Sequence, residues 1–427
     1  MIARIKTNLI KYFFFGNSIT DDGYLRLAYL VGRFIVFLPL SLCTTLILSI
    51  YSIFRPVKIF MLRCDRSKIS FVVEDLEVAL RIEAHNNQVS GRRSALLFAV
   101  LDCDSPNSAF TAMYGRVLPF LDDKKFFIRG IIRYTLPLFR IRREYLKCWQ
   151  AKDQMEIWAN QGPVNSFTIR EINIGKQLEG EIRKALDKEF VCIGLPEKIY
   201  YETKIENEHP IALSHDLYSG MPTWQTYNPS AQALINLNYD VIRMGQIVGA
   251  PLGEIGNPGI IDYASKYRSE FGDVWLLANC KFAISGNGTG FYWICEAFNV
   301  PTLTVDAPSA LHKSSYGVLD LFTPQLAWSR SEKKLMSFSW MTEQGEAWTH
   351  KRSLIEGDIE VVKNTADEVT EVVLEMHQRI DGTWNESEED IELQKRFRQL
   401  RILVPSRNFQ RENRIGADFL RRYQHLL

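Results

Sequence analysis

The chain has 427 residues, with 51 Lys+Arg against 50 Asp+Glu, 46% hydrophobic residues and 24% charged ones. This is globular composition at a length that suits two or three domains, which excludes a small disulfide scaffold and a mostly disordered chain. The net charge of +1 hides an asymmetry: residues 1–150 hold 22 basic and 12 acidic residues, leaving 29 basic and 38 acidic after them. A basic front is therefore joined to an acidic back, and no nucleic-acid-binding module accompanies the basic charge. The seven cysteines and seven histidines are scattered, without CxxC or HExxH spacing, so reduced thiols and no metal site are expected.

In chain order, the first feature is the uncharged stretch Phe34 to Phe54, FIVFLPLSLCTTLILSIYSIF. Its length approaches the roughly 20 residues that cross a hydrocarbon core as helix. Pro39, Ser41, Thr44 and Thr45 dilute it, so spanning and in-plane insertion both stay open. Basic residues crowd its carboxyl side (Arg55, Lys58, Arg63, Arg66 and Lys68), which places the bulk of the chain on the cytoplasmic face of the inner membrane. KISFVV (Lys68 to Val73) and ALLFAVLD (Ala95 to Asp102) read as buried strands of a first α/β domain. Lys124 to Lys147 interleaves Arg129, Arg133, Arg140, Arg142 and Arg143 with apolar residues, either a membrane-surface segment or a half-buried helix.

A polar passage, 152–168, precedes a helix with the stripe Ile174, Leu178, Ile182 and Leu186. The second half then alternates. FVCIGL, DVIRMG, KFAIS and TLTV read as strands, separated by helices around Ser230 to Leu237, Ser269 to Cys280 and Phe291 to Phe298. That alternation predicts a doubly wound parallel sheet. Thr365 with Glu368 forms a capping box for a terminal helix that Gly382 stops. The expected organisation is a membrane-associated segment over 1–66, an α/β domain over 67–165, a second over 166–345 and a helical tail over 346–427.

Between the strand KFAIS and its helix lies a loop with Gly286, Gly288 and Gly290. Glycines let backbone amides approach an anion at a helix start, with Ser285, Asn287 and Thr289 adding side-chain hydrogen bonds. The spacing fits neither the dinucleotide fingerprint nor the Walker pattern, and a tight turn into a packed helix is the bland alternative. Arg243, inside an apolar strand, is either a diphosphate clamp or a structurally paired arginine. Asp262 and Tyr263 end a short apolar run where ligands approach an open sheet. Asp306, after TLTV, is a ribose acceptor or a turn residue, and His215, followed by Asp216, is a weak general-base candidate.

These segments and several others are similar to a family of bacterial glycosyltransferases encoded with surface-polysaccharide genes. The likeness runs through RPVKIF, YDVIRMG, IDYA, SEFGDVWLLANCKFAISGNGTG, NVP, DLFTPQLAWS, KNTADEV, LQKRF and RIGADFLRR. It implies a GT-B-like α/β fold of two Rossmann-like domains with an N-terminal membrane helix and a helical tail. It also implies a metal-independent hexosyltransferase with no cofactor. Such an enzyme takes a nucleotide-sugar donor on the second domain and a lipid-linked or glycan acceptor on the first, at a membrane surface. Where the family carries a histidine-valine-arginine motif after the first strand of the donor domain, this chain has Gly194-Leu195-Pro196. That departure keeps open a catalytically impaired partner protein of a polysaccharide assembly complex, and the fold class keeps open a nucleotide-sugar epimerase.

Overall fold

The structure, a computed structural model, describes residues 23–54, 57–61, 69, 72–91, 96–101, 107–117, 120–122, 131, 158, 160–183, 185, 187–204, 223–252, 259–286, 289–308, 317–344, 357–402 and 414–427. The chain divides into two compact units, Met1–Pro106 with Tyr114–Lys147, and Asn107–Met113 with Cys148–Leu427.

The first unit opens on helix α1 (Gly23–Phe54), which contains the whole uncharged stretch. Phe37 and Ser41 are fully buried and the Ser41 hydroxyl donates to the Ile131 carbonyl at 3.0 Å. Thr44 and Thr45 turn their hydroxyls back onto the carbonyls of Leu40 and Ser41 at 2.8 and 2.6 Å, the usual resort of a hydroxyl inside a helix. Among the described residues no helix is long and apolar enough to cross a membrane, so the expected spanning helix is unsupported. Strands β1 (Val57–Met61), β2 (Leu96–Leu101) and β3 (Phe120–Asp122) pair in parallel in the order β1-β2-β3. The described residues of the strand expected at Lys68 to Val73 do not form it: Ile69 lies in a turn, and Val72–Glu77 is a π-helical turn that runs into helix α2 (Val78–Ser90). Burial explains the misreading, because Val73, Leu76 and Val78 to Leu80 are all interior, and a short apolar run reads alike as strand or buried helix. The turn also carries Glu77, fully buried, whose carboxylate accepts from Arg81 Nε at 2.8 Å and from the Tyr114 hydroxyl at 2.7 Å. Helix α3 (Ser108–Gly115), which belongs to the second unit up to Met113, precedes β3 in sequence. The basic segment from Lys124 to Lys147 lies outside the described residues apart from Ile131.

In the second unit, helix α4 (Ile169–Ile182) opens on a capping box in which Thr168 and Glu171 satisfy each other's backbone amides. Leu186 lies outside the described residues. Strand β4 (Phe190–Gly194), helix α5 (Lys198–Lys204), helix α6 (Trp224–Asn236) and strand β5 (Asp240–Met244) follow. Next come helices α7 (Tyr263–Lys266) and α8 (Glu270–Asn279), then β6 (Phe282–Gly286), helix α9 (Tyr292–Ala297) and β7 (Thr302–Ala307). Strand β8 (Leu321–Pro324) continues the sheet. A side sheet of β9 (Leu326–Ser329), β10 (Lys334–Leu335) and β11 (Ile359–Val362) is antiparallel in the order β10-β9-β11, with helix α10 (Phe338–Gln344) between its last two strands in sequence. Helices α11 (Ala366–Asp381) and α12 (Glu388–Ile402), strand β12 (Arg414–Ile415) and helix α13 (Ala417–Arg422) finish the chain.

The main sheet has six parallel strands in the order β12-β8-β7-β6-β4-β5. All five residues of β4 and of β6 are buried, which is why both read as continuous apolar runs. The core packs α6 and α11 against the sheet: Tyr227, Ala231 and Leu234 meet Val369, Val372, Val373 and Met376 with Val191, Ile193, Phe282 and Ile284. Thr365 makes the expected capping box and Gly382 the left-handed stop at φ 74°.

Candidate functional site

The strand order fixes where a ligand can enter. From β4 the chain moves outward to β5, then returns past β4 to lay down β6, β7 and β8 on the other side. The connections leaving β4 and β6 therefore diverge, and the carboxyl ends of these two neighbours flank a topological switch point, where open α/β sheets bind ligands. Gly194 ends β4 opposite Ser285, and Gly286 ends β6 opposite Val305.

Of the glycine loop, the described residues Ser285, Gly286, Thr289 and Gly290 lie at this end of the sheet. The Ser285 hydroxyl lies 2.9 Å from that of Thr289 and 3.2 Å from its carbonyl, closing the loop, and Thr289 Oγ1 donates to the Gly194 carbonyl at 3.3 Å. A Cβ on Gly286 would stand 2.8 Å from Leu195 and 3.1 Å from the Tyr227 hydroxyl, so a side chain there has no room. Gly290 accepts from the Trp293 amide at 3.3 Å as α9 begins. Asn287, Gly288 and His215 lie outside the described residues.

The departure from the family motif has a steric counterpart. A Cβ at Gly194 would come within 2.0 Å of the Phe291 ring, so the ring occupies the space that a histidine at this position would need. Leu195 beside it is buried. Gly194→Ala should cost about 1–2 kcal/mol of stability by overpacking, and Phe291→Ala in the same chain should recover part of it, a coupling that urea titration of the four proteins reads directly.

Arg243 is fully buried on β5. Its Nη1 donates to the Ala250 carbonyl at 2.8 Å and to Asp262 Oδ1 at 3.2 Å, its Nη2 donates to Glu197 Oε1 at 2.5 Å, and its guanidinium carbon lies 5.6 Å from the Trp224 ring centroid. Glu197 Oε2 also accepts from the Gly249 amide, and Asp262 Oδ2 from the Leu252 amide and the Ser265 hydroxyl. Burial works to raise the Asp262 carboxyl, but hydrogen bonds from Ser265 and Leu252 and the charge of Arg243 together hold it below its ordinary value. Arg243 thus joins the segments that follow β4 and β5. Tyr263 is buried, its hydroxyl 2.9 Å from the Ser269 carbonyl and 3.1 Å from Asp273. Burial raises Asp273 to about 6 against the opposing effects of Arg268 and Tyr263.

Tyr227, on α6, is fully buried with its hydroxyl against Gly286. Asp306 stands at φ 56° just past the end of the Gly286 pairing, with Oδ1 accepting from the Asn364 amide at 2.7 Å. Burial lifts its carboxyl to about 6 despite nearby Lys363. Among the described residues no group of three or more His, Cys, Asp or Glu is placed to hold a metal ion.

No family model matches the chain, and no curated protein matches it. Among solved structures it is similar to a family 9 glycosyl transferase from Veillonella parvula DSM 2008, at 10% identity over 62% of this chain and 82% of that one, with a TM-score of 0.39. It is also similar to the iron-containing dodecameric glycosyltransferase TibC from enterotoxigenic E. coli H10407, at 11% identity over 77% of each chain and a TM-score of 0.39. A third is the E. coli ADP-heptose LPS heptosyltransferase II, at 11% identity over 60% of this chain and 87% of that one, TM-score 0.32. TM-scores this low define neither fold nor activity, and the switch point and its residues do not depend on them.

Proposed function

We propose that the protein is a glycosyltransferase that takes a nucleotide-diphosphate sugar in the crevice between β4 and β6 and transfers the sugar to a lipid-linked or growing surface glycan. The observation that carries this reading is the coincidence of the glycine loop, Ser285 to Gly290, with the topological switch point of a six-stranded parallel sheet. A diphosphate there would have its charge stabilised by backbone amides and the start of a helix. The sequence resemblance supplies the substrate class. Calorimetric titration of the detergent-solubilised full chain with a panel of uridine-, guanosine-, cytidine- and adenosine-diphosphate sugars should find one that binds, and membrane extracts supplying acceptor should then incorporate its radiolabelled sugar. Absence of binding across the panel overturns the reading.

A second reading, a partner protein that binds donor without turnover, is favoured by one observation: Phe291 fills the place of the first residue of the missing motif. Binding without transfer would select it.

We further propose that α1 rests in the membrane surface, on the cytoplasmic face. It exposes Ile35, Leu42, Leu46, Ile47, Ile50, Ile53 and Phe54, each at least half accessible, and a contiguous apolar surface of this kind is the mark of a membrane or protein contact. Deleting residues 1–58 should move the protein from the floating to the soluble fraction in a liposome flotation assay; continued flotation would shift the attachment elsewhere.

A further inference from the structure

Two buried polar atoms near the carboxyl ends of β6 and β7 have no hydrogen-bond partner among the described residues. Asp306 is 1% exposed, and although Oδ1 is held by the Asn364 amide, Oδ2 meets no donor. Tyr227 is wholly buried and its hydroxyl is likewise unpartnered. Native interiors satisfy such groups, so each unpaired one calls for an explanation, and a bound ligand is one.

The two groups belong to one place. Gly286 pairs with Val305, which puts Asp306 one residue beyond the end of that register, at the carboxyl edge of β7. The Tyr227 hydroxyl stands 3.1 Å from where a Cβ on Gly286 would be, and the charge of Asp306 adds to burial in raising its phenol, so carboxylate and phenol lie within electrostatic reach of one another. The carboxylate is also held in an orientation that costs backbone strain. Asp306 adopts a left-handed φ, which few residues other than glycine do, and Asn364 locks that turn: its side-chain oxygen accepts from the Asp306 amide at 3.3 Å and from the Thr323 hydroxyl at 2.5 Å, while its Nδ2 donates to the Pro324 carbonyl at 3.1 Å.

The chemistry of the pair narrows the ligand. A phosphate would gain the phenol as donor but be repelled by the carboxylate. A metal ion would want more ligands of the carboxylate, imidazole or thiolate kind than the described residues bring together. A hydroxyl group satisfies both, donating to the carboxylate and accepting from the phenol, and two neighbouring hydroxyls on a ring can engage both at once. We propose that Asp306 and Tyr227 form a hydroxyl-reading subsite for a sugar ring of the nucleotide sugar, beside the diphosphate position at the glycine loop. The assignment rests on the reading of the crevice as a nucleotide-sugar site. Ring hydroxyls come from two sources in such a donor, the ribose and the transferred sugar.

The test uses the full chain, Asp306→Asn and Tyr227→Phe, each checked for native circular dichroism and cooperative melting, in calorimetric titrations. The probes are the nucleotide sugar selected from the panel above, its nucleoside diphosphate and the 2′-deoxynucleoside diphosphate. Each variant should bind the nucleotide sugar about tenfold or more weakly, the worth of a hydrogen bond to a charged or buried group. If the loss persists with the nucleoside diphosphate but not with its 2′-deoxy form, the subsite reads the ribose; if it appears with the nucleotide sugar alone, it reads the transferred sugar. Folded variants that bind all three probes like the parent overturn the subsite, with only a buried water between the groups, and leave the nucleotide-sugar site standing. A parent chain that binds no probe overturns both.

Discussion

Arg243→Ala should destabilise the second unit by about 3–5 kcal/mol, the cost of removing one partner from a buried ion pair and leaving its carboxylates uncompensated. The geometry decides the size. Arg243 is fully buried, and Nη1 and Nη2 are both committed to protein acceptors, so the substitution strands Asp262, itself almost wholly buried, and loosens Glu197 and the Ala250 carbonyl. Arg243→Lys keeps a charge but supplies one point donor in place of a fork spanning three acceptors, and should recover only part of the loss. Asp262→Asn combined with Arg243→Met removes the charges together and should cost less than the sum of the two single changes. Urea unfolding followed by tryptophan fluorescence measures these differences. A diphosphate clamp would behave otherwise, with stability kept and donor affinity lost, so a stable Arg243→Ala chain would return the residue to the ligand.

This residue also shows where sequence reading stops. An arginine in an apolar strand is visible in DVIRMG, and its two readings, ligand clamp or structural pair, are equally visible. What separates them is the position of Glu197 and Asp262, 46 and 19 residues away along the chain. Local pattern supplied the elements whose cause is local: β4 and β6 as continuous apolar runs, the Thr365–Glu368 box and the Gly382 stop. It failed at Val72–Glu77, where a short buried apolar run has the same composition whether strand or helix. It also could not see contacts made through the sheet. Phe291 against Gly194, Tyr227 over Gly286, and the burial of Cys192, Cys280 and Cys295 all come from strand order. The glycine loop itself was legible; that it lies at the switch point needed the order β7-β6-β4-β5.

Asp306→Asn should stabilise the second unit by about 2–3 kcal/mol at pH 7, and the gain should vanish in acid. The carboxyl of Asp306 is raised from its ordinary 3.8 to about 6, chiefly by burial. The folded chain therefore holds this proton more tightly than the unfolded one, so the native state is unpenalised below about pH 3.8 and loses stability as pH rises to about 6, above which the loss is complete. A shift of about two units corresponds to about 3 kcal/mol at full development. Some of it is offset, because the carboxylate's charge supports the buried ammonium of Lys363, which burial otherwise pushes down. Asparagine is nearly isosteric, tolerates the left-handed φ and keeps an oxygen for the Asn364 amide, so the backbone has no reason to move. Urea midpoints of parent and variant should coincide below about pH 3.8 and separate between about pH 4 and 6, with the variant higher, and stay apart at pH 7. A constant difference across that range would mean that the carboxylate is paired and its charge costs nothing. The expected pattern instead describes a residue that the fold keeps ionised at a loss of stability, which is the condition of a group arranged for a ligand rather than for the core.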